Sequence, residues 1–181
     1  YTGSLFPGKG IELILKIAKK LSNFTFYIYG DLNTASDKII SECKRFVNIK
    51  LLGHIDYYKI PIILKSHKII IMPYSSVIYG NHKSMNIANY MSPLKLFDYL
   101  AAGRIILASK NKNYSHILKD KENSLLCNPS NLDQWGKKIN QVSSKKFNYK
   151  KLQYNSLKTA KFFSWDSRVI KIMKFIGENN I

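Results

Sequence analysis

Short apolar runs alternate along the chain with stretches whose apolar positions recur every third or fourth residue. That alternation predicts repeated β–α units around an open, mostly parallel sheet. The first unit is a strand over residues 1–5, a turn over 6–10 and a helix over 11–21 that presents Ile11, Ile14, Leu15, Ala18 and Leu21 on one side. Strands over 24–29 and 47–52 stop at Gly30 and Gly53, with a helix over 34–46 between them. Pro61 bends a helix over 57–66 or marks its start, and a buried strand over 68–72 ends at Pro73.

Residues 74–91 keep no periodicity and predict a long loop, the kind that compact domains use for function. The most structured signal follows it. Ser92 stands where a side-chain oxygen caps a helix, Pro93 falls at the first helical position, and 92–103 then runs into a buried strand over 104–109. A helix over 114–119, a strand over 124–127 and a helix over 132–142 continue the alternation. The count reaches six strands, and two helices over 147–163 and 165–176 close the chain, the last starting near Ser164 or Asp166.

A length of 181 residues with 45% apolar content fits one domain with a filled core. The net charge of +18, from 29 Lys and Arg against 11 Asp and Glu, favours acidic partners such as nucleotides or anionic head groups. Lysine pairs are scattered, with no Arg-rich or aromatic-interleaved block, and the abundance of Lys, Asn and Ile accounts for much of the charge as background usage. Nucleic acid is therefore not the expected partner. Cys43 and Cys127 lack ligand spacing and read as buried thiols of a reducing compartment. No run approaches the ~20 apolar residues of a membrane span, so a cytoplasmic location is expected.

Open parallel sheets take ligands at the carboxyl ends of their strands, which selects Ser4 and Lys9, Gly53-His54, Tyr74 with its loop, and the helix start over 92–98. Two lysines, Lys9 and Lys95, and a helix N-terminus suit a diphosphate, and Asp98 suits ribose hydroxyls. Each has a plainer alternative: Lys9 as a solvated turn residue, Gly8 and Gly10 as turn formers, and Lys95 with Asp98 as an i,i+3 surface pair. His54 and His82 are isolated, and a structural or surface role fits them better than catalysis. No Ser/His/Asp, paired-carboxylate or metal-binding constellation is legible.

Residues 1–5 with Lys9-Gly10-Ile11, then 26–30, 51–54, 92–109 and 163–165 resemble, in order, the C-terminal domain of bacterial family 4 glycosyltransferases of the GT-B fold. The resemblance implies a Rossmann-like three-layer α/β/α domain over 1–145, with helices over 146–181 packing on it and toward an N-terminal acceptor domain that lies upstream. It implies a retaining transferase acting on a UDP- or GDP-linked sugar and a glycan or glycolipid acceptor, in surface polysaccharide or lipopolysaccharide synthesis, without metal or other cofactor. Carried over by position, Gly3, Ser4 and Lys9 meet the donor diphosphate. The turn Gly53-His54-Ile55 lies beside the base, Ser92, Pro93, Leu94 and Lys95 approach the phosphates, and Asp98 replaces the usual ribose-binding glutamate.

Two positions depart from the pattern. Ser4 stands where many relatives have arginine, and Tyr90, eight residues before Asp98, stands where a first glutamate contacts the donor sugar. A subgroup with a Ser-Pro-x-Lys element is similar. Basic surface near the acceptor site also implies peripheral contact with the inner face of the cell membrane. The rival readings are a nucleotide-sugar epimerase or hydrolase on the same architecture, and a noncatalytic basic domain binding nucleic acid or anionic membrane.

Overall fold

The structure, a computed structural model, describes residues 1–78, 86–88 and 90–178. Chain order is α1 (Ile11–Lys20), β1 (Phe26–Ile28), α2 (Asp37–Arg45), β2 (Ile49–Leu51), α3 (Ile60–Ser66), β3 (Ile69–Met72), α4 (Lys95–Ala102), β4 (Ile105–Ser109), β5 (Leu125–Cys127), α5 (Leu132–Ser143), α6 (Lys150–Phe162) and α7 (Trp165–Glu178). The strands form two parallel sheets, β1-β2 and β3-β4-β5, with Ile28 opposite Leu51, Met72 opposite Ala108 and Ser109 opposite Cys127.

β4 is buried at every position, as a strand covered on both faces must be. Its alternate residues feed two cores. Ile105 and Leu107 join Ile71, Leu125 and Cys127 under α1 and α5, where Trp135 is fully buried. Ile106 and Ala108 join Ile70, Met72 and Leu126 under α3 and α4. The expected three-layer arrangement follows directly from this period of two.

The described residues hold five strands, whereas six were expected in one sheet. Residues 1–3 still lie alongside β1: the Tyr29 N–H donates to the Tyr1 carbonyl and the Gly3 N–H to the Tyr29 carbonyl, both at 2.9 Å, with a parallel bridge from Thr2 to Tyr29. Gly3 turns the backbone to φ +123°, which ends the extended run. On its other side Thr2 meets a side chain: its N–H donates to the Tyr99 hydroxyl at 3.0 Å, and that hydroxyl also faces the Ile71 carbonyl at 3.5 Å. Tyr99 of α4 thus joins the first segment to β3.

Three sequence expectations are corrected. The helix over 34–46 starts only at Asp37, because Thr34 Oγ1 accepts the Leu5 N–H at 2.7 Å and donates to the Asp31 carbonyl, while Ser36 caps α2. The helix over 114–119 is a short 3-10 turn, Lys112–Tyr114, followed by a hydrogen-bonded turn over 115–117. There Asn123 Oδ1 accepts the Lys119 N–H and its Nδ2 donates to the Ile117 carbonyl, removing groups a helix would need. The third concerns α4. Ser92 is exposed and caps nothing; Leu94 is the cap residue, and the turn is closed by Leu96 and Phe97 N–H groups bonding back to the Pro93 and Leu94 carbonyls. Lys95 is therefore the first helical residue and Pro93 lies ahead of the helix.

Pro61 sits in the first turn of α3, behind a 3-10 turn at Tyr57–Lys59. Cys43 and Cys127 are free and buried. α6 packs on α4, with Leu152 buried and the Ser156 hydroxyl donating to the Leu100 carbonyl at 3.0 Å. Ser164 Oγ accepts the Ser167 N–H and opens α7, whose Trp165, Ile170, Met173 and Phe175 are exposed. No described helix is long and apolar enough to cross a membrane.

Candidate donor site at the carboxyl ends of the strands

Three glycines follow three neighbouring parallel segments and form one patch of bare backbone. Gly3 follows the first segment, Gly30 follows β1 and Gly53 follows β2. The Gly30 N–H donates to the Gly53 carbonyl at 2.8 Å, and a Cβ on Gly30 would lie 2.2 Å from the Gly3 carbonyl oxygen. Gly53 has φ +72° and open space around it, so its turn is free to approach a ligand. His54 is exposed and Ile55 half-buried in that turn.

Gly8 and Gly10 do something different. A Cβ on Gly8 would lie 2.4 Å from the Val77 carbonyl, and one on Gly10 would lie 2.2 Å from the Pro73 carbonyl. The Ser75 N–H donates to the Gly8 carbonyl at 3.0 Å. These glycines let the turn before α1 pack on the segment after β3, and Lys9 between them is carried over the Tyr74 ring, 5.3 Å from its centroid.

Lys95 reaches the same place from α4. Its Nζ lies 3.8 Å from the Tyr1 ring centroid and 5.3 Å from that of Tyr74, and a Cβ on Gly3 would sit only 2.6 Å from it. That nitrogen is buried and has no hydrogen-bond partner among the described residues. Burial, and then the charge of Lys9, hold the Lys95 ammonium well below the ordinary lysine range; burial lowers Lys9 as well. Among the described residues neither lysine forms an ion pair with a carboxylate. The surface pairing of Lys95 with Asp98 does not occur.

Asp98 instead accepts a hydrogen bond from the Tyr57 hydroxyl at 3.0 Å. Burial raises its carboxyl above the usual range and the Tyr57 bond opposes that rise. Tyr57, 72% exposed, was not selected from the sequence. A phenol three residues past His54 at a strand's carboxyl end was the available signal, but its partner lies 41 residues away. Tyr57→Phe is expected to raise the Asp98 titration midpoint further, read by carbon-detected NMR of the carboxyl; an unmoved midpoint would mean the bond is not made in solution.

Ser4 is half-buried, its carbonyl accepting from the Tyr1 hydroxyl at 2.7 Å. Tyr90 is 78% exposed, between β3 and α4 in the chain. Asn86 Oδ1 accepts from the Ile78 and Ala88 N–H groups at 3.0 Å. Residues 79–85 and 89, His82 among them, lie outside the described residues. Among the described residues there is no group of three or more His, Cys, Asp and Glu side chains placed to hold a metal.

The chain matches the family of glycosyl transferases group 1 over residues 1–159 and belongs to it. Its fold is that of one Rossmann-like half of the GT-B glycosyltransferases. It is 21% identical over 184 residues to the uncharacterized glycosyltransferase MJ1178 of Methanocaldococcus jannaschii, an alignment spanning 98% of this chain and 47% of that protein. It is 27% identical over 119 residues to the putative teichuronic acid biosynthesis glycosyltransferase TuaH of Bacillus subtilis, spanning 66% of this chain and 28% of that one. Among solved structures, Anabaena HepE in complex with UDP superposes with a TM-score of 0.78 at 13% identity, over 98% of this chain and 48% of HepE. The chain thus spans half or less of the curated relatives it matches.

Proposed function

We propose that this chain is the donor half of a retaining hexosyltransferase that moves a sugar from a UDP- or GDP-linked donor to a glycan or glycolipid acceptor, in surface polysaccharide or lipopolysaccharide synthesis. One observation carries this reading. Two lysines without carboxylate partners converge on Tyr74 at the start of α4, and Asp98 stands three residues further on the same helix. Two cations suit a diphosphate, and a carboxylate suits the adjacent ribose. Family membership, a superposing structure that holds UDP, and a relative named for teichuronic acid biosynthesis support it.

In this reading Lys9, Lys95 and the Leu94 and Lys95 backbone N–H groups at the start of α4 hold the diphosphate beside the backbone of Gly3 and Ser4. Ser92, Pro93 and Leu94 shape that approach, Asp98 takes the ribose hydroxyls, and the Gly53-His54-Ile55 turn lies along the base. As the bond from the anomeric carbon to the diphosphate breaks, negative charge grows on the leaving oxygen. The two cations are placed to stabilise it more in the transition state than in the ground state. No metal has a role in this scheme. Tyr90 lies toward the sugar, where a phenol supplies a weaker contact than a carboxylate.

The acceptor site and the groups acting on the acceptor hydroxyl belong to a separate N-terminal domain. The exposed apolar face of α7 packs toward that domain, and the whole enzyme works in the cytoplasm, peripheral to the inner face of the membrane. Calorimetric titration of the chain with UDP-glucose, followed by assay for released glucose, tests the division of labour. Binding in a one-to-one ratio without release is expected. No binding would overturn the donor reading for this sugar nucleotide, and release would overturn the claim that chemistry needs the second domain.

A further inference from the structure

We propose that Lys95 is an uncharged amine while the donor site is empty and takes up one proton from solvent when a nucleoside diphosphate binds, so that donor affinity is coupled to pH. The inference rests on the donor-site reading and concerns how that site discriminates a diphosphate from less charged ligands.

The geometry carries it. An ammonium has three donors to satisfy, yet among the described residues the buried Lys95 Nζ has no hydrogen-bond acceptor. It is enclosed by the first segment, the segment after β3 and its own helix. From the first segment it meets the face of Tyr1, at 3.8 Å, and the backbone of Gly3. The Tyr1 nitrogen on that segment donates to the Tyr27 carbonyl at 2.9 Å. From the segment after β3 it meets the face of Tyr74 at 5.3 Å, and Lys9, above the same ring, adds a like charge. On α4, Tyr99 is turned toward Thr2 and Ile71, and Asp98 toward Tyr57. Glu12 of α1 bears on the Tyr1 phenol and makes no ion pair with Lys95.

Aromatic faces attract a cation weakly compared with the loss of its hydration, and a second lysine opposes it. Burial, then Lys9, accordingly depress the Lys95 titration well below the ordinary lysine value. A diphosphate reverses each term. It brings oxygen acceptors to the orphaned donors and at least two negative charges beside both lysines, so the amine is driven to the ammonium. A nucleoside monophosphate brings one phosphate group and cannot satisfy both lysines.

The sign follows from proton linkage. Below the empty-site pKa Lys95 is already charged and affinity is flat with pH. Above it, binding must bring in a proton, and the dissociation constant rises by up to about tenfold per pH unit. The terminal phosphate of the ligand is itself fully ionised above about pH 7, so it adds no proton in that range.

The test is calorimetric titration of the whole chain with UDP, and in parallel with GDP, between about pH 7 and 9, in pairs of buffers of different ionisation enthalpy. Wild type is expected to take up as much as about one proton per nucleotide, with affinity falling as pH rises. Lys95→Arg keeps a permanent charge and is expected to bind with no uptake and no such slope. Binding of wild type without proton uptake overturns the inference and leaves the donor reading intact, as does equal uptake by Lys95→Arg.

A second measurement needs no ligand. A lysine depressed in the folded state makes stability rise with pH between its folded value and about 10.4, the ordinary lysine value. Buried Cys43 and Cys127 and the buried tyrosines, all raised by burial, pull stability the other way at the upper end of that window, in wild type and Lys95→Met alike. It is therefore the thermal midpoint of the empty wild type relative to that of Lys95→Met that is expected to climb through the window. Equal slopes would overturn the inference. If neither nucleotide binds, the donor reading falls, and the stability slope still decides the charge state of Lys95.

Discussion

Gly10→Ala is expected to destabilise the protein by roughly 2–4 kcal/mol and to lower its thermal midpoint by about 5–15 °C. Two separate costs add at this position. The backbone is at φ +106°, a conformation that side-chain-bearing residues rarely adopt, and the new Cβ would lie 2.2 Å from the Pro73 carbonyl oxygen and 2.6 Å from the Pro73 ring. A backbone carbonyl cannot swing aside as a flexible side chain can. The start of α1 and the segment after β3 must separate, and Lys9 loses its place over Tyr74 with them. Gly53→Ala is the control. It carries the strain of φ +72° but meets nothing within 4 Å, so only about 1 kcal/mol is expected. Differential scanning calorimetry of the pair separates strain from collision; equal losses would mean that packing of the Gly8-Lys9-Gly10 turn on Pro73 does not matter.

Lys9→Ala has the second large effect, and it falls on binding rather than stability. A charge-assisted hydrogen bond lost to a phosphate costs about 1.5–3 kcal/mol, which predicts roughly a 10- to 100-fold weaker nucleoside diphosphate. The empty protein should be as stable as wild type, because among the described residues Lys9 has no ion pair to lose and its charge bears on Lys95 unfavourably. Removing Lys9 also lifts the Lys95 titration, so proton uptake on binding shrinks without vanishing. A variant that lost stability but bound as before would mark Lys9 as a structural turn residue, which is the plainer reading its sequence context allowed.

Much of the architecture was legible in the sequence because burial on both faces leaves a plain mark. The runs Ile69–Met72 and Ile105–Ser109 are apolar at nearly every position, and the spacing of Ile11, Ile14, Leu15 and Ala18 places one buried side on α1. Boundaries set by side chains on backbone groups were not legible. Nothing local to residues 114–119 shows that Asn123 takes its hydrogen bonds, and nothing near Ser92 shows that carbonyls of Pro93 and Leu94 close the first turn of α4 instead.

The site divides the same way. The candidate residues were nameable because glycines, lysines and a carboxylate fall after strands, where a parallel sheet exposes them. Their partners were not. Lys95 and Asp98 are three apart on a helix and read as a pair, yet one turns into the Tyr1 and Tyr74 rings and the other to Tyr57. Tyr1 and Tyr74 are joined to Lys95 only by the folding of the chain, and no periodicity encodes such a meeting. Gly8 and Gly10 were ambiguous between ligand and turn, and the contacts with Pro73 and Val77 give them the packing role.

The measurement that tests the donor-site assignment most directly is the thermal midpoint of this chain in millimolar UDP, GDP and ADP, for wild type, Lys9→Ala and Asp98→Ala. A ligand that binds only the folded state raises the midpoint, by about 2.7 kcal/mol of added stability at a hundredfold excess over its dissociation constant. The account predicts a rise with UDP or GDP in wild type, lost or sharply reduced in both variants, which also names the base. A rise of the same size in wild type and Asp98→Ala, or no rise with any of the three, would contradict it.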